Sequence, residues 1–292
     1  MLRLAIYYDN RLGRNDGNPV YTWADLKVRE EKKELTIDHL LPNGDYDKFG
    51  NYDFNLYIDW GEDAVRPLLN YEPTETPKPN LCWMSDTHLD GGWRIEKAKN
   101  YDIVFFAQKQ ACEEAVLAGV PGPIWLPHAA EPRAYPYHEM PAKKYDLCFI
   151  GHINSMNRIE ALDRMFRTFP NFYYGQRLFE DAAHKFAESK IVFNVSIRDD
   201  INMRIFETLS TGSFLLTNEL PTLGELFQDG VHLVTYKDLD DAVEKARYYL
   251  EHDEEREKIA NAGHEEFMAK HTISHRVDVM LKEINKKLGV TQ

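Results

Sequence analysis

The chain has 292 residues, 43% hydrophobic and 28% charged, which gives a globular protein room for two cores and excludes disorder as its dominant state. The 48 acidic residues against 35 basic ones leave a net charge of −13, which argues against a broad phosphate-binding surface for nucleic acid while leaving room for local basic sites. Apolar runs such as 103–107 fall far short of the ~20 residues of a membrane span, and Cys82, Cys112 and Cys148 are too few and too widely spaced for a disulfide framework or a zinc ribbon.

In chain order, residues 1–9 read as a first strand without the long apolar region and cleavage site of a signal peptide, and a reducing cytoplasm is the expected setting. Short β-branched and aromatic runs then predict strands over 4–8, 35–40, 54–59, 81–84, 103–107 and 124–126, with short helices between them. The proline-punctuated segment from Pro127 to Pro136, with Pro141 beyond it, sustains neither a helix nor a central strand and predicts a domain boundary. Strands follow over 147–150, 172–174, 191–195, 214–217 and 233–236, alternating with helices over 158–168, 179–189, 202–210 and 223–227. The charged C-terminal stretch carries Val277, Met280, Leu281 and Ile284 at one-face helical spacing, so a last helix packs on something, with the first domain as the expected partner. The pattern is α/β: two Rossmann-like domains facing a central cleft, over 1–132 and 145–275, joined by a linker over 133–144 and closed by a C-terminal helix over 276–292. A ligand is expected at the carboxyl ends of the strands.

The densest cluster of candidate chemistry runs from Ile191 to Thr217. A strand enters a loop, a helix opens near Asp200 to Asn202 where Asp or Asn can cap free N–H groups, and Gly212 closes it. Asp200, Arg204, Glu207, Thr208 and Thr211 share one helix face. A helix start with an arginine in its first turn suits a phosphate, and Glu207, one turn on, suits a ribose diol. The alternative is an Arg204–Glu207 pair on a solvated face.

The segment Asn202 to Thr217, with Phe206-Glu-Thr-Leu-Ser-Thr-Gly212 at its centre, followed by Glu225 to Tyr236, Tyr248-Tyr-Leu250, Glu255 to Gly263 and His271 to Arg276, resembles the CgeB-like, spore-maturation-type glycosyltransferases, within the group of GT-B fold. The resemblance covers the chain from about residue 145 onward. It implies a hexosyltransferase that takes a nucleotide-diphosphate sugar and needs no cofactor or metal, with Glu207 holding the donor ribose. It also implies an acid eight positions earlier near the transferred sugar, usually glutamate in related retaining enzymes. Here that position is Asp199.

A second segment, Asp146 to Glu160, ends a buried strand at Gly151 and opens a helix that Asn154, Ser155 or Asn157 can cap. Arg158 resembles the family's basic group on the diphosphate; otherwise it is a surface arginine paired with Glu160 or Asp163. In the first half, Trp83 to Asp90 follows a strand and resembles the Asp-rich, His-containing segment of CgeB-like amino-terminal domains. Asp86 is a candidate acceptor base and His88 a candidate for orienting donor or acceptor sugar, against the alternative of a turn held by Asp and Thr side chains. The Asp9 to Gly17 loop and His128 carry the same ambiguity.

Other patterns are weaker. Asp45-Tyr-Asp47 and Asp238-Leu-Asp240 match a metal-binding DxD triplet, which arises readily in so acidic a chain. His264-Glu265 lacks a second histidine at 268, and His271 with His275 lacks a third ligand. The expected partners are a nucleotide sugar and a protein, peptide or glycan acceptor, with no nucleic acid and no membrane span. Donor-binding residues are Gly151, Arg158, Asn202, Arg204 and Glu207; catalytic candidates are Asp86, His88 and Asp199. A nucleotide-sugar epimerase of the same fold and a catalytically silent nucleotide-sugar-binding protein are the alternatives.

Overall fold

The computed structural model describes residues 1–8, 17–40, 52–58, 79–137, 141–153, 155–177 and 179–290, with the side chains of Asp90 and Gly91 left aside. The expected loop residues 9–16, the triplet at 45–47 and the capping candidate Asn154 lie outside the described residues. The chain divides into two compact units, Met1–His128 with Ile273–Gln292, and Ala129–Thr272. Residues 129–144 fall within the second unit, where Tyr135 is buried and its carbonyl accepts from the Ser210 hydroxyl at 2.7 Å.

In the first unit, β1 (Leu2–Tyr7), β2 (Leu35–Leu40), β3 (Phe54–Ile58), β4 (Asn80–Met84), β5 (Ile103–Phe106) and β6 (Ile124–Trp125) form one sheet in the order β2-β1-β3-β4-β5-β6. Every pairing is parallel. The helices α1 (Asn18–Glu31), α2 (Thr87–Ala98) and α3 (Lys109–Leu117) follow β1, β4 and β5. All five residues of β3 and of β4 are buried, so these strands read as mainly apolar runs, broken by Asn55 and opened by Asn80, rather than as alternations.

The second unit holds β7 (Tyr145–Ile150), β8 (Phe172–Gly175), β9 (Ser189–Asn194), β10 (Leu215–Asn218) and β11 (Val234–Tyr236), again parallel, in the order β11-β10-β9-β7-β8. Its helices are α4 (Met156–Thr168), α5 (Phe179–Ala187), α6 (Met203–Ser210), α7 (Leu239–Glu251) and α8 (Asp253–Lys270). Leu147, Phe149, Ile191, Phe193 and Leu216 form the centre of its core with Leu162 and Met165 of α4. The expected 223–227 helix is a single 3-10 turn over Leu223–Glu225, and the helix expected to reach 189 stops at Ala187 because Ser189 already opens β9.

The last helix, α9 (Ile273–Leu288), belongs to the first unit. Val277, Met280 and Ile284 are buried on one face. Its polar edge is fastened to α1, where Arg29 bonds to Asp25 at 2.7 Å, to Asp278 at 2.8 Å and to the Ser274 hydroxyl at 2.9 Å. Arg276 donates to the carbonyls of Pro127 and His128 at 2.8 and 3.1 Å. His128 also meets the Asn18 amide through Nδ1 at 2.8 Å, so this histidine anchors backbone and helix within the first unit.

Candidate active site in the second unit

In the second sheet the strand order runs outward in opposite directions from β7 and β9, so the crevice at their carboxyl ends is the topological switch point where α/β sheets receive ligands. Four of the expected donor-binding residues meet around this crevice, and Glu207 follows one helical turn into α6. Gly151 continues β7 with φ +151, and a Cβ there would lie 2.8 Å from Cζ of Arg204. Only glycine lets the strand end pass this close to the guanidinium. The Arg204 guanidinium lies over the Phe149 ring, 4.8 Å from its centroid, and Nη1 donates to Asn194 Oδ1 at 3.2 Å. Its Nε is buried with no hydrogen-bond partner among the described residues.

Arg158 is not the exposed first-turn arginine of the alternative reading; it is 7% exposed. Its Nε donates to the Val195 carbonyl at 2.9 Å and its Nη1 to the His152 carbonyl at 3.0 Å, so it ties together the loops that leave β9 and β7. Asp163 pairs instead with Arg167 at 3.0 Å. Burial, and then the like charge of Arg204, pull the Arg158 guanidinium down to about 10, with Asp200 opposing. The Arg204 guanidinium is also held below its ordinary value, chiefly by burial, while the Glu207 carboxylate acts through space in the other direction. Both guanidinium groups lie over the Phe149 ring, 5.8 Å (Arg158) and 4.8 Å (Arg204) from its centroid.

α6 starts at Met203, with Asn202 at its N-cap, and Gly212 at φ +69 follows its last turn. The expected side-chain cap is not formed. Asn202 Nδ2 instead donates to Ser196 Oγ at 3.0 Å and to Asn194 Oδ1 at 3.4 Å, which leaves α6 without a side-chain cap, its Ile205 N–H turned to the Asn202 carbonyl at 3.2 Å, and Asn202 Oδ1 buried without a partner among the described residues. Ser155 at the start of α4 likewise makes no capping bond. Glu207 is half-buried one turn into α6, and Arg204 bonds to Asn194 rather than to it.

Asn194 is a residue that sequence reasoning missed. It is fully buried at the last position of β9, opposite Thr217 of β10, and donates from Nδ2 to the Thr217 hydroxyl at 2.9 Å. Its backbone carbonyl accepts from the Tyr236 hydroxyl at 2.9 Å. The signal was an asparagine inside an apolar strand, because a buried amide has to be hydrogen-bonded.

Asp199 is exposed, in a tight turn with Arg198 where both residues adopt positive φ (59 and 49). It lines an open pocket with Glu219, Leu220, Pro221 and Phe227. Asp200 is buried beside it, its backbone N–H bonded to the Ile197 carbonyl at 3.2 Å.

In the first unit, Asp86 takes φ +55 at the start of α2 and makes no side-chain cap. The turn is fixed instead by Thr87, whose N–H and hydroxyl reach Gln108 Oε1 at 3.3 and 2.8 Å. His88 is partly buried one residue later. Of the histidines of the weak motifs, His264 meets the Leu209 carbonyl through Nδ1 at 3.0 Å, and the ring centroids of His271 and Phe227 lie 4.5 Å apart. Asp238 caps α7 by accepting from Asp241 N at 2.9 Å, and Asp240 pairs with Arg164 at 2.9 Å. Among the described residues no three His, Cys, Asp or Glu side chains are grouped as metal ligands, and no helix is long and apolar enough to cross a membrane.

Residues 146–282 match a family model described as glycosyl transferase-like. No curated protein matches the sequence significantly. Among solved structures, the chain is similar to Anabaena HepE in complex with UDP and glucose (TM-score 0.70, 10% identity, 98% of this chain and 100% of that one). It is also similar to sucrose-phosphate synthase from Thermosynechococcus elongatus (0.69, 10%, 100% of each chain). A third likeness is to a DNA-modifying β-glucosyltransferase (0.67, 13%, 97% and 100%). Two parallel α/β units and these whole-chain likenesses define a GT-B fold. On that frame, residues 146–282 are the part similar to the glycosyl transferase-like model.

Proposed function

We propose that the protein transfers a hexose from a nucleoside diphosphate sugar to an acceptor hydroxyl, as the CgeB-like resemblance implies, with UDP as the first nucleotide to test because the similar HepE structure contains it. The observation that carries this reading is the Arg204 guanidinium, set against Gly151 at the switch point, beside uncapped N–H groups of α6 and without a hydrogen-bonded carboxylate. In the transfer the bond between the anomeric carbon and the β-phosphate oxygen breaks. The diphosphate keeps the electron pair, and the acceptor oxygen bonds to the anomeric carbon as its proton leaves. Arg204 and the α6 N-terminus stabilise the charge that develops on the leaving oxygen. Glu207 accepts from the ribose hydroxyls, while Arg158 keeps the loops after β7 and β9 together around the anion.

Asp199 is assigned to the transferred sugar in a retaining course, and Asp86 and His88 to the acceptor, Asp86 taking the proton and His88 orienting the reacting group. The electrostatic work falls to arginines and helix N–H groups, so transfer is proposed to be independent of metal. The setting is proposed to be the cytoplasm. A thermal-shift screen of nucleoside diphosphates and their sugars tests the reading, since a specific ligand stabilises by RT ln(1 + [L]/Kd). A shift for one nucleoside diphosphate and its sugars supports it; no shift with any of them at millimolar concentration contradicts it.

A further inference from the structure

Among the described residues, Arg29, Arg256 and Arg276 are each bonded to more oxygen acceptors than the half-buried Arg204. Arg29 has Asp25 and Asp278, Arg256 has Asp253 and the Tyr249 carbonyl, both at 2.6 Å, and Arg276 has two carbonyls. Arg204 has a single bonded acceptor, the neutral amide oxygen of Asn194, and a buried Nε without a partner among the described residues. That choice of amide is not forced by the surroundings. The groups around the Asn194 side chain are Arg204 Nη1, Asn202 Nδ2 and the hydroxyls of Thr217 and Ser196. All of these can donate, because a hydroxyl turns to suit its partner. A carboxylate of the same shape would be as well bonded and would add an ion pair with Arg204, the usual compensation for a buried guanidinium.

We propose that Asn194 is a positioning residue that holds the Arg204 guanidinium in place through a neutral amide rather than a bonded carboxylate, so that the diphosphate of the ligand supplies the hydrogen-bonded anion. This inference rests on the proposed nucleotide site. It adds that selectivity for an anion depends on the neutrality of one buried side chain that need not touch the ligand. The amide is fixed from three sides, by Thr217 through Nδ2 and by Arg204 and Asn202 through Oδ1, so it presents only its acceptor to the arginine.

The test compares wild type with Asn194→Asp, Asn194→Ala and Arg204→Ala, titrated calorimetrically with UDP and with inorganic pyrophosphate, alongside thermal unfolding. The expected order of stability is Asn194→Asp equal to or above wild type and Asn194→Ala below it. The expected order of affinity is different: Asn194→Asp weakest, by at least tenfold, and Asn194→Ala between it and wild type. A purely structural role would make affinity follow stability, and that result overturns the proposal. So does an Asn194→Asp protein that binds both anions like wild type while Arg204→Ala loses them, an outcome that leaves the nucleotide site standing. An Asn194→Asp protein less stable than Asn194→Ala overturns it as well. If wild type binds neither anion, or Arg204→Ala binds both undiminished, the proposed nucleotide site itself fails and the role of Asn194 falls with it.

Discussion

Gly151 and Arg204 are in contact across the switch point of the second sheet: a Cβ at residue 151 would lie 2.8 Å from the guanidinium carbon. The strand end and the first turn of α6 are thus fitted to each other around a space that only a hydrogen side chain leaves open.

Gly151→Ala has to push the guanidinium aside and to hold alanine at φ +151. The expected result is a folded protein whose affinity for UDP falls by about tenfold, roughly 1.4 kcal/mol. Calorimetric titration checks it. Affinity equal to wild type would mean that the guanidinium is not used where it sits.

Gly263 is a similar case without a functional site. A Cβ there would overlap the His232 carbonyl and lie 2.8 Å from Leu209 Cδ2, so α8 approaches both α6 and the backbone before β11 through this one position. A carbonyl cannot rotate away as a side chain can, and Gly263→Ala should cost about 1–3 kcal/mol. Urea unfolding monitored by circular dichroism measures it, and a neutral effect would show that α8 has room to shift.

Most of the fold is legible in the sequence because its strands are buried on both faces. Leu56 to Ile58, Leu81 to Met84 and Ile191 to Phe193 are short apolar runs bounded by polar residues, and each lies in a parallel strand. The burial of Val277, Met280 and Ile284 likewise follows from their spacing. The site is less legible, because its contacts close between loops. Nothing local announces that Arg158, in a polar first turn, reaches the carbonyls of Val195 and His152. Asn202 has the right chemistry for a cap and is drawn off by Ser196 and Asn194, six and eight residues earlier where the chain leaves β9.

Acid should weaken the second unit partly through Glu188. The Lys144 and Lys185 ammonium groups hold its carboxyl below the usual carboxylate range. A depressed folded-state value contributes stability above the unfolded value of about 4.3 and loses it as pH falls through the folded one. Glu188→Gln is therefore expected to be less stable than wild type at pH 7, by up to about 1 kcal/mol for a pair open to solvent. The two proteins should converge below the depressed value. A difference that stays constant from pH 7 down to acid unfolding contradicts the ion-pair origin.

His88 is assigned to the reacting groups rather than to the nucleotide. His88→Ala should lower the transfer rate by at least tenfold and leave UDP affinity nearly unchanged. Steady-state kinetics with an identified acceptor, paired with UDP titration, separates the two quantities. Wild-type turnover in the folded variant would return His88 to packing at the start of α2. In the same assay, transfer should persist in excess EDTA; loss of activity restored by Mn²⁺ would transfer the electrostatic role to a metal.

The most direct test of the account is the affinity of wild type, Arg204→Ala and Glu207→Ala for UDP, measured by calorimetry on proteins whose circular dichroism confirms their fold. Saturable binding by wild type, weakened in each variant by about 1–3 kcal/mol, the range for charge-assisted hydrogen bonds, is the predicted result. Affinity unchanged in both variants would contradict a nucleotide diphosphate site at the start of α6.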